Sequence, residues 1–200
     1  MRSLPTLVFV GTSLVGCGPD PLIALEARGF LATEKTELRA HVYEEHDHGS
    51  VDGVHGFDVQ ARTPAGEVVP LEEVFGELDG TYVAVASGIA DSYTFYVDGK
   101  EYRFESPQQY TATLTLGSEP RIDWDPPTGD GELTRVSFSI GTSSGSIGPA
   151  PDHAALLGLA PGNTHFVVSR ERRPPPGADG DKWTPHGFVS FKREFDAVIE

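Results

Sequence analysis

The sequence predicts an all-β protein folded as an antiparallel β-sandwich. The chain has 23 Gly and 16 Pro among its 200 residues, well above their combined share of roughly 12% in average proteins, which is typical of a turn-rich chain. From Thr36 onward, apolar and polar residues alternate with the two-residue period of half-buried strands. Because turn signals separate about nine such stretches, two packed sheets are expected.

The first clear strands are the segments 36–43 and 57–62. Each places alternate apolar side chains on one face and polar side chains on the other. The residues TPAGE at 63–67 follow, with Pro64 and Gly66 in positions typical of a tight turn. The predicted inward-facing residues are Leu38, Ala40, Val42, Phe57, Val59 and Ala61.

The strongest local signal is a β-hairpin over residues 93–105. Asp98-Gly99 is a pair that favours a type I′ turn, since both central residues of that turn need positive φ. A two-residue loop sets Phe95 opposite Tyr102 and Tyr93 opposite Phe104. One face of the hairpin is therefore aromatic, and we expect it to belong to the core.

The rest of the chain is predicted to contain further strands, one short helical segment and a loop. Leu116 is expected to face inward together with Tyr110. Residues 152–159 are compatible with one or two helical turns. The prolines within 172–181 predict a loop, because proline cannot serve a central strand. The remaining predicted strands are 110–116, 135–140, 165–169 and 188–199.

A break in composition, rich in Gly and Pro, occurs at 117–131. We expect either two small sandwich units, 36–117 and 118–200, or one larger sandwich made from the same strands. The segment IDWDPP within the break is similar to a strand of fibronectin type III domains that carries a core Trp. This resemblance implies an immunoglobulin- or fibronectin III-like arrangement.

The first residues have the features of an export signal. Arg2 precedes an apolar run from Leu4 to Val15. This run is too short for a membrane-spanning helix, which needs about 20 residues, but fits the roughly 7–15 residues of a secretory signal. Residues 1–16 are therefore predicted to be a signal peptide, and 17–35 a tether that runs into the first strand.

The end of this leader, Leu14-Val15-Gly16-Cys17, resembles the lipobox of bacterial lipoprotein precursors. The resemblance implies that Cys17 is acylated, that the leader is cut before it, and that the lipid anchors the protein in a membrane. In enterobacterial members an Asp after the cysteine implies inner-membrane retention, whereas this chain has Gly18. We therefore expect display at the outer membrane or cell surface; secretion without lipid is the alternative.

Charge and cysteine content exclude several functions. The chain carries 15 Lys+Arg against 30 Asp+Glu, a net charge of −15, which repels phosphate groups and argues against nucleic acid as a partner. Cys17 is the single cysteine. Once it is lipidated, the mature domain has neither a disulfide nor a thiol nucleophile.

The segment 41–55 is the best candidate for a metal site. It contains four of the seven histidines together with several carboxylates. In extended chain, the rings of His46 and His48 project to one side, as a metal clamp requires. The alternative is a solvated polar loop without metal. The candidate ligands for Zn²⁺ or Cu²⁺ are His41, His46, His48 and His55.

Other motifs carry weaker chemical signals. Residues 141–145 match the G-x-S-x-G pattern, but the prolines that follow cannot open the helix that a nucleophile elbow needs. Acidic turns at 123–132 and 177–182 offer oxygen ligands for Ca²⁺ without EF-hand spacing. Aromatic residues can form a stacking surface, although more often they lie in a core. The candidates are Tyr43, Tyr96, Trp124 and Trp183.

These observations favour a membrane-anchored envelope lipoprotein that acts as a non-catalytic module. Its expected partners are the membrane, through the lipid, and an envelope protein or polymer. No catalytic residue and no cofactor are predicted. The alternative function is Zn²⁺ or Cu²⁺ binding by a lipoprotein through the histidine-rich segment 41–55.

Overall fold

A computed structural model describes residues 21–45, 50–75, 79–148, 150–173 and 186–199. These residues form sixteen strands and no helix. Among them there is consequently no apolar helix long enough to cross a membrane. The first eight strands are β1 Leu22–Phe30, β2 Lys35–Glu45, β3 Val51–Gly53, β4 Val59–Arg62, β5 Val68–Pro70, β6 Glu72–Val74, β7 Thr81–Ser87 and β8 Ser92–Val97.

The second half of the chain supplies the other eight strands. These are β9 Lys100–Glu105, β10 Thr111–Thr115, β11 Arg121–Asp125, β12 Glu132–Ile140, β13 Ser143–Ile147, β14 His153–Ala155, β15 Gly162–Arg172 and β16 His186–Ile199.

The strands form one large sheet and two small ones. The large sheet has nine strands in the order β13-β12-β15-β16-β1-β2-β7-β6, with β3 paired to β2. The small sheets are β5-β4-β8-β9 and β10-β11-β14. All three contribute to one cluster of buried apolar side chains. The predicted all-β class with packed sheets is confirmed; the immunoglobulin- or fibronectin III-like arrangement of the strands stays a prediction.

The predicted hairpin is confirmed in detail. Strands β8 and β9 pair Tyr93 with Phe104 and Phe95 with Tyr102. The turn residues have positive φ, 47° at Asp98 and 77° at Gly99, as a type I′ turn requires. Tyr93 and Phe95 are fully buried, so the aromatic face belongs to the core.

The first and last strands are joined directly. β1 pairs with β16 in parallel, from Ala24 opposite His186 to Phe30 opposite Lys192, whereas every other ladder in the described chain is antiparallel. The large sheet thus takes strands from both sides of residue 118. The division into units 36–117 and 118–200 stays a prediction.

Three local expectations are corrected. A strand starts at Leu22, inside the predicted tether 17–35, because Leu25 and its alternate neighbours are buried against the core. Within 152–159, His153–Ala155 form strand β14 instead of a helical turn, since their backbone pairs with the edge of β11. Leu116 is 49% exposed because β10 ends one residue before it. The loop predicted at 172–181 lies mostly outside the described residues.

A buried polar cluster ties the large sheet to the segments around the small three-stranded sheet. The Tyr110 hydroxyl donates to the carbonyls of Val168 (2.7 Å) and Phe191 (3.2 Å) in the large sheet. The guanidinium of Arg170, fully buried, lies 4.7 Å from the Tyr110 ring centre and donates to the Pro126 carbonyl at 2.7 Å. Burial raises the pKa of Tyr110, so its hydroxyl keeps the proton that it donates.

Glycine is required where β16 meets β1. A Cβ on Gly187 would lie 2.4 Å from the Leu25 carbonyl oxygen and 2.8 Å from a ring carbon of Phe104. Such distances demand a shift of backbone as well as of a core ring. We expect Gly187→Ala to lower the free energy of unfolding by about 1–3 kcal/mol, the usual cost of overpacking, in urea titrations followed by tryptophan fluorescence.

The matched control is Gly148→Ala. No atom lies within 4 Å of the position of a Cβ at Gly148, so this variant should change the free energy of unfolding by less than about 0.5 kcal/mol. Equal stability of the two variants would contradict the close β1–β16 approach.

Candidate binding surface

Two of the four candidate metal ligands lie in the described residues, and both have protein partners. His41, on β2, has Nδ1 2.9 Å from the Thr81 hydroxyl. Burial is the main reason why the pKa of His41 is lowered. His55 follows β3 and its Nδ1 contacts the Glu73 carboxylate, which raises the pKa of His55 through this hydrogen bond. The His55 ring stacks on Phe75, with 5.9 Å between ring centres.

The metal hypothesis is not decided by this geometry. Within the described ranges, no group of three or more His, Cys, Asp or Glu side chains is arranged to hold a metal ion. His46 and His48 lie outside those ranges, in the connection between the paired strands β2 and β3. Metal binding by the segment 41–55 therefore stays a prediction.

The other predicted candidates do not come together. Ser143 of the G-x-S-x-G match opens β13, opposite Ile140 in a hairpin, and no helix follows it in the described chain. Trp124 is buried and donates to the Pro151 carbonyl at 2.9 Å. Tyr96 accepts from Arg62 at 2.7 Å on the outside of the four-stranded sheet. Cys17 and Trp183 lie outside the described residues.

Two of the four carboxylates in the acidic turn 123–132 make contacts within the fold. Asp123 accepts from Arg121 at 3.0 Å. Glu132 accepts from the backbone N–H groups of Gln108 (2.6 Å) and Gly129 (3.3 Å). These two carboxylates serve different local contacts instead of converging on one point, as a calcium site would require. The second acidic turn, 177–182, lies outside the described residues.

On the outer face of the central strands β1 and β2, basic and acidic side chains pair with each other. Arg28 pairs with Glu26 on β1, and Arg39 pairs with Glu37 at 2.8 Å on β2. The register places Glu26 beside Arg39 and Arg28 beside Glu37. This part of the sheet therefore presents no unbalanced charge for a partner to recognise.

The edge of the large sheet at β6 and β7 has an incompletely paired strand. β6 covers β7 only from Thr81 to Val83. Leu71 lies between β5 of the four-stranded sheet and β6 of the large sheet. Its N–H still donates to the Val59 carbonyl of β4, at 2.8 Å. Residues 84–87 of β7 have no partner strand on this side within the described chain. Beside them lies a groove of about 670 Å³, walled by the β4–β5 hairpin; we call it the edge groove.

The edge groove is apolar with an acidic rim. Four valines line it (Val69, Val74, Val83 and Val85), and Val85 is 72% exposed. Glu67 and Glu72 stand at its rim, and no Lys or Arg is among its lining residues. Sequence reasoning missed this surface because the run YVAVA at 82–86 is apolar on both faces. A short apolar run of this kind predicts a strand, but it does not show which of the two faces is exposed.

Comparisons with known proteins yield a distant structural likeness. The chain matches no protein-family model and no curated protein sequence. Two solved structures described as cytokine receptor complexes are similar over most of the chain. The first shares 14% identity with a TM-score of 0.29, covering 86% of this chain and 94% of its own. The second has 14% identity and a TM-score of 0.28, covering 83% and 98%.

The His55–Glu73 pair yields a titration prediction. Glu73→Gln removes the carboxylate, so the pKa of His55 should fall towards the ordinary value of about 6.5, as measured from the pH dependence of its ring-proton NMR shifts. Because the raised pKa favours the protonated form, the pair stabilises the fold at low pH. That stabilisation should be lost as the pH rises through the pKa of His55.

Glu72→Gln is the control for this titration. Glu72 precedes Glu73 on β6 and carries the same charge, but the hydrogen bond and ion pair of His55 in the described chain are with Glu73. An equal fall in the pKa of His55 in both variants would show that general acidity of the edge, and not the Glu73 contact, sets the value.

Proposed function

We propose that the protein is an envelope lipoprotein whose β-sandwich is a non-catalytic binding module held at the membrane by acylated Cys17. The observation that carries the binding part is the edge groove, with Val74 46% and Val85 72% exposed. Exposed apolar patches on sheet edges mark interaction sites or aggregation hazards. A protein that must stay soluble at its site of display has reason to keep such a strip only if a partner covers it.

The anchor part rests on the leader. The motif ending in Cys17 supports lipidation, and the favoured destination is the outer membrane or cell surface. Only four residues lie between Cys17 and the start of β1 at Leu22, which makes five Cα–Cα steps. A fully extended chain spans about 3.3–3.6 Å per residue, so the tether reaches at most roughly 18 Å. The sandwich would therefore sit close to the bilayer.

With Cys17 in the bilayer, as proposed, the strand register supports an orientation in which the Leu22 end of the large sheet is nearest to the membrane. Leu22 at the start of β1 lies beside Tyr43, near the end of β2. The edge groove borders the opposite end of the sheet, where Ser87 lies beside Lys35. A strand rises about 3.3 Å per residue, so the groove would be displayed away from the membrane, accessible to an envelope protein or polymer.

The anchor is tested by Cys17→Ala in the producing cells. The wild type should incorporate labelled palmitate, shift in mass on processing and sediment with membranes. The variant should take up no label and keep its leader, because the thiol is the only acceptor. A variant that is still cut and still sediments with membranes would contradict the anchor.

The binding role is tested with a photo-crosslinking residue at Val85 of the anchored protein. We expect a discrete adduct with an envelope protein or polymer. The control position is Val198, an equally apolar residue that is 58% exposed on the large sheet but does not line the edge groove. Adducts that are absent from both positions, or the same at both, would contradict a binding role for the groove.

Metal binding is the alternative function, favoured by the H-x-H spacing of His46 and His48. Calorimetric titration of fragment 20–200 with Zn²⁺ or Cu²⁺ decides it. This alternative predicts micromolar or tighter binding that the His46→Ala/His48→Ala double variant loses. The binding should also weaken below about pH 6, as the imidazoles protonate. Binding that is unchanged in the double variant would remove the segment 41–55 from consideration.

A further inference from the structure

The edge groove contains a backbone edge that can accept another strand. Residues 84–87 of β7 pair with β2 on one side, and no described strand lies on the other. The backbone N–H and C=O groups that point outwards here are a template for an incoming extended chain. β6 occupies the preceding positions of the same edge and ends its pairing at Glu72 opposite Val83. A strand added beside 84–87 would therefore continue the line of β6.

The two edges of the large sheet carry different side chains. At the opposite edge, β13 has the sequence SSGSI, with exposed serines. These serines offer little apolar surface for a partner strand to bury. At the β7 edge, Val83 and Val85 lie on the outer face, beside Val74 of β6. An incoming strand here would bury valine side chains as well as pairing its backbone, which is how strand addition gains affinity and specificity together.

Charge complementarity identifies the kind of strand that fits. Glu67 and Glu72 are exposed at the rim, and neither forms an ion pair within the described chain. No cationic side chain lines the groove to balance them. A second copy of this chain would bring the same carboxylates and a net charge of −15, so self-association through this edge is opposed by like charges.

We propose that the edge groove binds, by strand addition to β7, an extended segment of a partner protein in which apolar and basic residues alternate. The apolar residues pack on the valines and the basic residues pair with Glu67 and Glu72. This inference rests on the proposed binding role and names the class of partner. The two-residue period of a strand puts the two kinds of side chain on opposite faces. Glu67 belongs to the β4–β5 wall of the groove, whereas Glu72 shares a face with Val83 and is reached by a basic residue at the end of the added strand.

The test uses the full chain in detergent micelles and a fluorescent eight-residue peptide of alternating Val and Lys. Fluorescence anisotropy should show saturable binding, and hydrogen exchange should show new protection of the backbone amides of residues 84–87. The Glu67→Gln/Glu72→Gln double variant should weaken binding by about 3–10-fold, as expected for two rim ion pairs. A peptide with Glu in place of Lys should bind at least as weakly as the Val–Lys peptide binds to that variant.

Backbone pairing is tested with two N-methylated peptides. Each carries N-methyl groups on one alternate set of amides, so that the side chains stay unchanged while half of the N–H donors are removed. The peptide methylated on the set that faces β7 should lose binding, and the other should keep it. The matched protein control is Glu101→Gln/Glu105→Gln, the same charge change on the exposed strand β9, which should alter the affinity less than twofold.

Three results would overturn the proposal: no saturable binding at millimolar peptide, equal binding of both N-methylated peptides, or equal weakening by the two pairs of Gln substitutions. If the Val85 crosslink and the acylation of Cys17 persist in such a case, only the strand-addition mode is wrong. Loss of the crosslink at Val85 as well would instead remove the binding role itself.

Discussion

The parallel pairing of β1 with β16 is the constraint on which the rest of the architecture depends. It places the first and last strands side by side in the middle of the large sheet. β2 and β7 then extend the sheet in one direction, and β15 and β12 extend it in the other. The approach is so close that the chain has glycine at Gly187 and at Gly29, where a Cβ would lie 2.7 Å from the Phe191 ring.

Side-chain contacts then hold the small three-stranded sheet against the large sheet. Tyr110 crosses from the start of the small three-stranded sheet to two carbonyls of the large one, and the buried Arg170 covers its ring. Burying a guanidinium is costly unless its donors are satisfied and a counter-charge is near. Pro126 and Thr134 accept from Nη2 and Nε of Arg170, and the buried Glu132 carboxylate lies 3.9 Å away, while Nη1 has no hydrogen-bond partner within the described chain. The cluster thus specifies how the layers meet.

In the proposed arrangement, the membrane anchor and the partner surface lie at different ends of the large sheet. The proposed tether enters at the start of β1, while the edge groove borders the far end of β2 and β7. Charges on the central strands are paired among themselves, whereas Glu67 and Glu72 at the groove rim form no ion pair within the part of the chain that the structure describes. These acidic side chains therefore lie at an edge of the sheet whose backbone is also available for pairing.

The sequence by itself determined those features that depend on neighbouring residues. The strand alternation, the Asp98-Gly99 turn and the aromatic hairpin face follow from local backbone preferences and from side-chain period, and the structure confirms them. The acidic charge and the leader motif are likewise readable without a fold. Only the tertiary structure decided the contacts between distant segments. It made a strand of His153–Ala155 by pairing it with β11, buried Arg170, and left Val85 72% exposed at an edge of the large sheet. Each outcome depends on which strand lies alongside and not on adjacent sequence.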